Sequence, residues 1–175
     1  MTSQRGFAVW ITGLPSSGKS SVTRELVQAL QELCVPVLVL ESDEMRTILT
    51  PEADYSPAER DQFYRALVLI GALAARNGIN VIFDATANRR AYREHARSVI
   101  PAFIEAYIEC PLEVCMNRDP KGIYGRARSG AASTVPGLQM PYEPPLSPEI
   151  TLDCRTPADI GAKTILNDLR RRLYV

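Results

Sequence analysis

Eight consecutive residues, Gly13-Leu14-Pro15-Ser16-Ser17-Gly18-Lys19-Ser20, satisfy the pattern GxxxxGK(S/T) at every fixed position. The chemistry such a segment performs is capture of a nucleoside polyphosphate. Its glycines let the backbone curl until successive amide N–H groups point inward at phosphate oxygens. A helix beginning inside the segment adds the partial positive charge of its N-terminus. Lys19 is long enough to reach the β- and γ-phosphates, and the Ser20 hydroxyl is a hard oxygen suited to a Mg²⁺ shell. ATP-binding residues are therefore expected at Gly13, Leu14, Pro15, Ser16, Ser17, Gly18, Lys19, Ser20 and Ser21. The alternative is a Gly-rich turn that binds nothing, matching the pattern by accident between a strand-like run and a helical one. ATP is favoured over GTP because no separate NKxD-type guanine signal is found.

Phosphoryl transfer to a hydroxyl also needs Mg²⁺ ligands and a carboxylate that accepts the hydroxyl proton. In open parallel sheets, ligands gather at the C-terminal ends of the strands. Glu41 and Asp43 follow the apolar run Val37–Leu40, and Asp84 follows Ile79–Phe83. Asp43 is the expected catalytic group that orients and deprotonates the acceptor, with Lys19 as its catalytic counterpart on the phosphates. Glu41 or Asp84 is expected to hold Mg²⁺ through water; capping the next helix is the other use of such acids. The basic residues expected near the cleft are Arg46, Arg60, Arg89, Arg90, Arg118, Lys121, Arg126 and Arg128. Lys121, Arg126 and Arg128 stand out because they fall in a Gly-rich stretch, where a mobile lid can bring cations onto a transferring phosphate.

The elements that must carry these groups alternate between strand and helix. Phe7–Thr12, Val37–Leu40, Ile79–Phe83, Phe103–Ile108 and Ile150–Leu152 read as buried strands. Helical spacing of apolar residues runs over Ser20–Leu33. A second helix starts at Ser56, with Pro57 in its first turn and Glu59 completing a capping box, and stops at Asn77-Gly78. Further helices are expected over Arg89–Ser98, Leu112–Asn117 and Pro157–Leu173. Residues 119 to 148, with four glycines and six prolines, break every regular pattern and read as a functional loop or lid. Strand–helix alternation implies an α/β fold, a parallel sheet with helices on both faces.

Composition bounds the partners. The 175 residues suit one domain, 46% of them hydrophobic, with twenty Lys plus Arg balancing twenty Asp plus Glu. A balanced charge argues against nonspecific nucleic-acid or membrane binding. No apolar run approaches the ~20 residues of a membrane span. The start, Met1 to Gly6, is polar and shows no signal-peptide apolar region. Cys34, Cys110, Cys115 and Cys154 form no CxxC pair, and His95 is the single histidine, read as a surface residue without a role. A structural zinc or disulfide scaffold is not expected, Cys110 and Cys115 are expected to be partly buried rather than reactive, and a reducing, cytoplasmic setting fits.

Taken together, these segments resemble the adenylylsulfate kinase family. The phosphate loop GLPSSGKSS is similar to that family's opening, and Leu40-Glu41-Ser42-Asp43-Glu44-Met45-Arg46 to its LDGDNIR segment. Tyr55-Ser56 with Arg60 resembles an FS…R segment. The most specific stretch is Cys110-Pro111-Leu112-Glu113-Val114-Cys115, then Arg118-Asp119-Pro120-Lys121-Gly122-Ile123-Tyr124 and Ala127-Arg128, similar to PLEVC…RDPKGLY..AR. Pro141-Tyr142-Glu143 with Pro145 resembles PYE.P. The likeness spans Trp10 to about Asp153. It implies a P-loop NTPase fold: a three-layer α/β/α domain over residues 1–175, with a five-stranded parallel sheet ordered 2-3-1-4-5 and a Gly/Pro-rich lid over about 119–148. It also implies transfer of the ATP γ-phosphoryl group to the 3′-hydroxyl of adenosine 5′-phosphosulfate, with Mg²⁺ as cofactor, and a homodimer. Asp43, Arg46, Arg60 and Lys121 would bind the acceptor, and Arg118 would lie against the ATP adenine.

The departures from the family cluster on the acceptor side. Glu41 replaces the first Asp of DGD, Ser42 its Gly, and Phe63 an Asn that helps bind substrate. Thr86-Ala87-Asn88 stands where the family has ISP, and Asp84-Ala85-Thr86-Ala87-Asn88 resembles the DAT.N element of other small P-loop hydroxyl kinases. Val135-Pro136-Gly137-Leu138-Gln139 replaces FTGID. A same-fold kinase acting on a hydroxyl of another nucleotide-linked or small metabolite is therefore the second expectation. A nucleotide-binding module without turnover is the third, opposed by the presence of Lys19, Ser20 and Asp43.

Overall fold

The structure is a computed structural model that describes residues 5–175, so most of the polar start, Met1 to Gly6, lies outside the described residues. Five parallel strands form one sheet: β1 (Ala8–Thr12), β2 (Val37–Glu41), β3 (Asn80–Asp84), β4 (Phe103–Glu109) and β5 (Ile150–Asp153), in the order β2-β3-β1-β4-β5. The central strand β1 is buried along its whole length, as a strand covered on both faces must be. Its side chains alternate between two cores. Ala8 and Trp10 join Phe63, Leu67 and Phe83 on one face; Val9 and Ile11 join Leu26, Leu30, Ile165 and Leu169 on the other.

Seven helices complete the described chain: α1 (Lys19–Glu32), α2 (Ser42–Leu49), α3 (Pro57–Arg76), α4 (Arg90–Val99), α5 (Leu112–Arg118), α6 (Ile123–Arg128) and α7 (Ala158–Arg171). Helices α3 and α4 supply the first core, and α1 and α7 the second. Helix α3 crosses the sheet closely at Gly71, where an added Cβ would sit 2.2 Å from the Phe83 ring. A third, smaller cluster of Cys110, Cys115, Tyr124, Ala127 and Val135 roots residues 110–135 beside the phosphate loop. Both cysteines are buried, and burial pushes both thiols above their ordinary range. His95 is exposed.

Three local expectations need correction. Ser42 and Asp43, read as the end of the second strand, open the helix α2 (Ser42–Leu49), whose remainder the sequence reading leaves without an element. Within the stretch expected to be irregular, Ile123–Arg128 forms helix α6, entered through Gly122 at φ 63° and capped by Asp119, whose Oδ2 accepts the Gly125 N–H at 2.8 Å. The start of α3 is half a capping box: Ser56 Oγ accepts the Glu59 N–H at 3.2 Å, but Glu59 turns away from the Ser56 amide. It accepts instead from Tyr55 N at 2.7 Å and from Arg46, so this carboxylate serves the cleft as well as the helix.

Candidate active site

The phosphate loop leaves β1 through Gly13, at φ 151°, where an added Cβ would lie 2.8 Å from the Ile108 carbonyl oxygen. No side chain fits there, which is why the position needs glycine. Ser16 and Gly18 also take left-handed backbone angles, and Gly18 leads directly into α1. Lys19 folds back over the loop, with Nζ donating to the Leu14 carbonyl at 2.9 Å and the Gly13 carbonyl at 3.2 Å. Burial lowers the Lys19 pKa, and the carboxylates of Asp84 and Asp43 oppose that shift. Ser20 and Ser21 lie exposed in the first turn of α1. The Leu14 side chain packs into the third cluster, so any contact it makes with a phosphate comes from its backbone. The Pro15 carbonyl accepts the buried Tyr124 hydroxyl at 3.0 Å, tying α6 to the loop.

The carboxylates converge because the sheet is in register. Glu41 and Asp84 are cross-strand partners at the ends of β2 and β3. Asp43 stands two residues on, in the first turn of α2. Lys121, from the turn before α6, places Nζ 2.6 Å from Asp43 Oδ2 and 3.5 Å from Glu41 Oε1. The hydrogen bond to Asp43 raises the Lys121 pKa above its ordinary value.

A pair of guanidinium groups lines the same cleft. Arg46 is buried; its Nη1 donates to Glu59 and, at 3.2 Å, to Thr50 Oγ1. Arg60 donates from Nε to the Tyr55 carbonyl at 3.0 Å and from Nη2 to the Thr134 carbonyl at 2.8 Å, joining α3 to the 119–148 segment. Between them Tyr55 holds φ 55°, a strained angle for a residue with a side chain, and the bonds at both its amide and its carbonyl maintain it.

These groups share one cleft of about 980 Å³. Lys19, Ser20, Glu41, Asp43, Arg46, Arg60, Asp84, Arg118 and Lys121 all line it, as do Pro15, Ser16, Gly18 and Ser21 of the loop. Arg118 also borders a smaller cavity of about 150 Å³ beside Ser17, Ser21 and Thr156, where its Nη2 donates to the Cys154 carbonyl at 2.9 Å. Arg126 reaches the main cleft. Arg89, Arg90 and Arg128 do not line it: they turn to Asp61, the Pro144 carbonyl and the Met116 sulfur. Tyr64 and Thr134, which local reading missed, also line the cleft, as does Thr86 of the Thr86-Ala87-Asn88 segment. Tyr64 lies one helical turn beyond Arg60, the one signal that could have found it.

Ser20, Glu41 and Asp84 offer hard oxygen donors, the set that suits Mg²⁺. No three His, Cys, Asp or Glu side chains among the described residues group as a metal site. A phosphate loop with its lysine, two guanidinium groups and three carboxylates in one cleft can bind two anionic substrates and move a proton where they meet.

Known proteins resemble this chain over most of its length. The family model described as adenylylsulphate kinase matches residues 5–153. An adenylyl-sulfate kinase of Gloeothece citriformis is 42% identical over 153 residues, covering 87% of this chain and 86% of that one. An adenylyl-sulfate kinase of Synechococcus sp. (strain JA-2-3B'a(2-13)) is 38% identical over 176 residues, covering 99% of both chains. Among solved structures, the Mycobacterium tuberculosis APS kinase CysC in complex with AMPPNP and APS superposes with a TM-score of 0.89 at 34% identity, covering 95% of this chain and 98% of that one.

Proposed function

The chain belongs to the adenylylsulfate kinase family, and from that premise we propose that it transfers the γ-phosphoryl group of ATP to the 3′-hydroxyl of adenosine 5′-phosphosulfate. The observation that carries this reading is the single cleft lined together by the phosphate loop, Asp43, Arg46 and Arg60. The acceptor oxygen forms the new P–O bond, the bond between the γ-phosphorus and the β,γ-bridging oxygen breaks, and ADP leaves. Asp43 accepts the hydroxyl proton. Lys19 and the loop amides hold the β- and γ-phosphates and stabilise the charge that develops on the leaving oxygen. Ser20, with Glu41 or Asp84 through water, would hold Mg²⁺. When bound, that ion neutralises phosphate charge. Arg46 and Arg60 bind the anionic end of the acceptor, and Arg118 lies against the adenine of ATP.

Residues 1–175 act as one kinase domain on this reading, with 119–148 as its lid. Lys121 is the lid's cation, and Tyr124 and Asp119 root the lid beside the loop. Closure excludes water and so limits wasteful ATP hydrolysis. The same reading carries a homodimer, which sedimentation would measure. The test of function is an assay with ATP, Mg²⁺ and adenylylsulfate, its products identified by mass spectrometry. The 3′-phosphorylated product at a rate well above background ATP hydrolysis supports the reading. ATP turnover or binding without that product would shift it to another hydroxyl acceptor, the alternative favoured by Phe63, which is fully buried and offers an acceptor no polar group.

A further inference from the structure

Phe63 is completely buried, yet it is not an ordinary core residue. Its ring centroid lies 3.9 Å from Cζ of Arg46, close enough for the π face to attract the guanidinium. The second ring beside Arg46 is that of Tyr55, 4.8 Å away and 41% exposed. The edge of the Phe63 stack is closed by Tyr64, with ring centroids 5.2 Å apart in a T-shaped contact. Arg46 Nη1 is already engaged by Glu59 and Thr50. Its Nε and Nη2 have no hydrogen-bond acceptor among the described residues, and the side chain borders the cleft. A guanidinium is a flat fork of donors, so fixing its plane and one nitrogen fixes where the remaining N–H groups point.

We propose that Phe63 is a positioning residue for acceptor recognition: its ring holds the Arg46 guanidinium so that Nε and Nη2 face the anionic group of the acceptor. Phe63 makes no contact with substrate itself. The contribution falls on binding of the acceptor and leaves the ATP side, built from the phosphate loop and α1, unaltered. The inference deepens the reading above and takes the identity of the acceptor from it.

The experiment compares the parent enzyme with Phe63→Leu, which keeps most of the apolar volume and loses the ring. The expected result is an acceptor KM raised about five- to thirtyfold, the range of a partly to fully desolvated cation–π contact, with kcat and the KM for ATP within about twofold. Arg46→Lys should raise the acceptor KM in the parent and add little in the Phe63→Leu background, because both changes remove the same aligned fork. An unchanged acceptor KM in Phe63→Leu overturns the proposal. So does a parallel rise in both KM values, which would mark a general loosening of the core. If Phe63→Leu fails to fold by circular dichroism, Phe63→Met, an adaptable side chain without a ring, takes its place in the same comparison.

A parent enzyme inert towards adenylylsulfate would sink the functional reading and not this one. The Phe63 inference is then read from calorimetric affinity for adenosine 5′-monophosphate, with the ATP site filled by a non-hydrolysable ATP analogue. Weaker binding in both Phe63→Leu and Arg46→Lys supports it, and equal binding in all three proteins overturns it.

Discussion

Lys121 Nζ sits 2.6 Å from Asp43 Oδ2, so the cation expected to meet the transferring phosphate rests on the carboxylate expected to take the proton. Both side chains are about half exposed or more, and such a contact contributes little to stability in water. Its consequence is for turnover. On the proposed mechanism Asp43 keeps Oδ1 free to accept a proton, and anionic substrates entering the cleft compete with Asp43 for Lys121.

Asp43→Asn removes the proton acceptor and keeps the shape. The expected loss in kcat is about 10²- to 10⁴-fold, the usual worth of a general base, with the KM for ATP little changed. Steady-state kinetics with adenylylsulfate decide it. Phosphorylation at close to the parent rate would remove Asp43 from the mechanism.

Lys19→Ala should leave the fold intact, because the ammonium bonds only to two carbonyls of its own loop. Activity should fall by at least about 10²- to 10³-fold, as when one preorganised donor is lost from a transition state. Circular dichroism reports the fold and the coupled assay the rate. A Lys19→Ala enzyme that turns over normally would refute the assignment of the phosphate loop.

The framework of this site was legible because it is local. The phosphate loop is contiguous, and the five strands appear as apolar runs that end at Gly13, Glu41 and Asp84. Helix α6 was not legible. Its start depends on Gly122 in the left-handed region and on Asp119 reaching forward to the Gly125 amide, which a Gly-rich composition conceals. Contacts between distant segments were equally hidden. Arg60 meets the Thr134 carbonyl across 74 positions, and nothing in either segment's own periodicity announces the other. Phe63 reads as one more apolar residue of an amphipathic helix until Arg46 is seen against its ring.

Acid stability should depend on Glu149, at the start of β5. Its carboxylate accepts the Glu105 N–H at 2.7 Å and both Nη groups of Arg97. Burial works against its ionised form, but these hydrogen bonds outweigh burial and hold its pKa below the ordinary 4.5. A depressed carboxylate stabilises the fold above its unfolded pKa, and that contribution is lost as pH falls through the folded value. Glu149→Gln should therefore cost about 1.5–3 kcal/mol near neutral pH, the worth of hydrogen bonds to a charged group. The difference from the parent should shrink as pH drops below 4.5. Urea melts at several pH values measure it; a deficit that stays constant into acid would show that the charge is not responsible.

Arg93 offers the severest test of the fold around the site. The side chain is fully buried on α4, with Nε donating to Glu105 Oε1 at 2.6 Å and Nη2 to the Glu143 carbonyl at 2.6 Å. Nη1 donates to the Ala87 carbonyl. Three segments thus depend on one guanidinium: strand β4, the turn after β3 that holds Thr86, and the 141–145 strap. That strap also reaches the base of the phosphate loop, where the Tyr142 hydroxyl lies 3.0 Å from Thr12 Oγ1. Arg93→Met removes the donors at nearly constant apolar length and leaves Glu105 buried with Arg97 alone, at 3.4 Å. Removing one partner of a buried pair typically costs about 3–5 kcal/mol, because the remaining charge is left without compensation. Adding Glu105→Met should recover part of that loss, since an apolar pair in the same space carries no charge to desolvate. Recovery should be incomplete, because the Ala87 and Glu143 carbonyls remain without their donor. Chemical denaturation of the single and double variants distinguishes these terms. A double variant no more stable than Arg93→Met would place the whole cost in the two carbonyls and none in the ion pair.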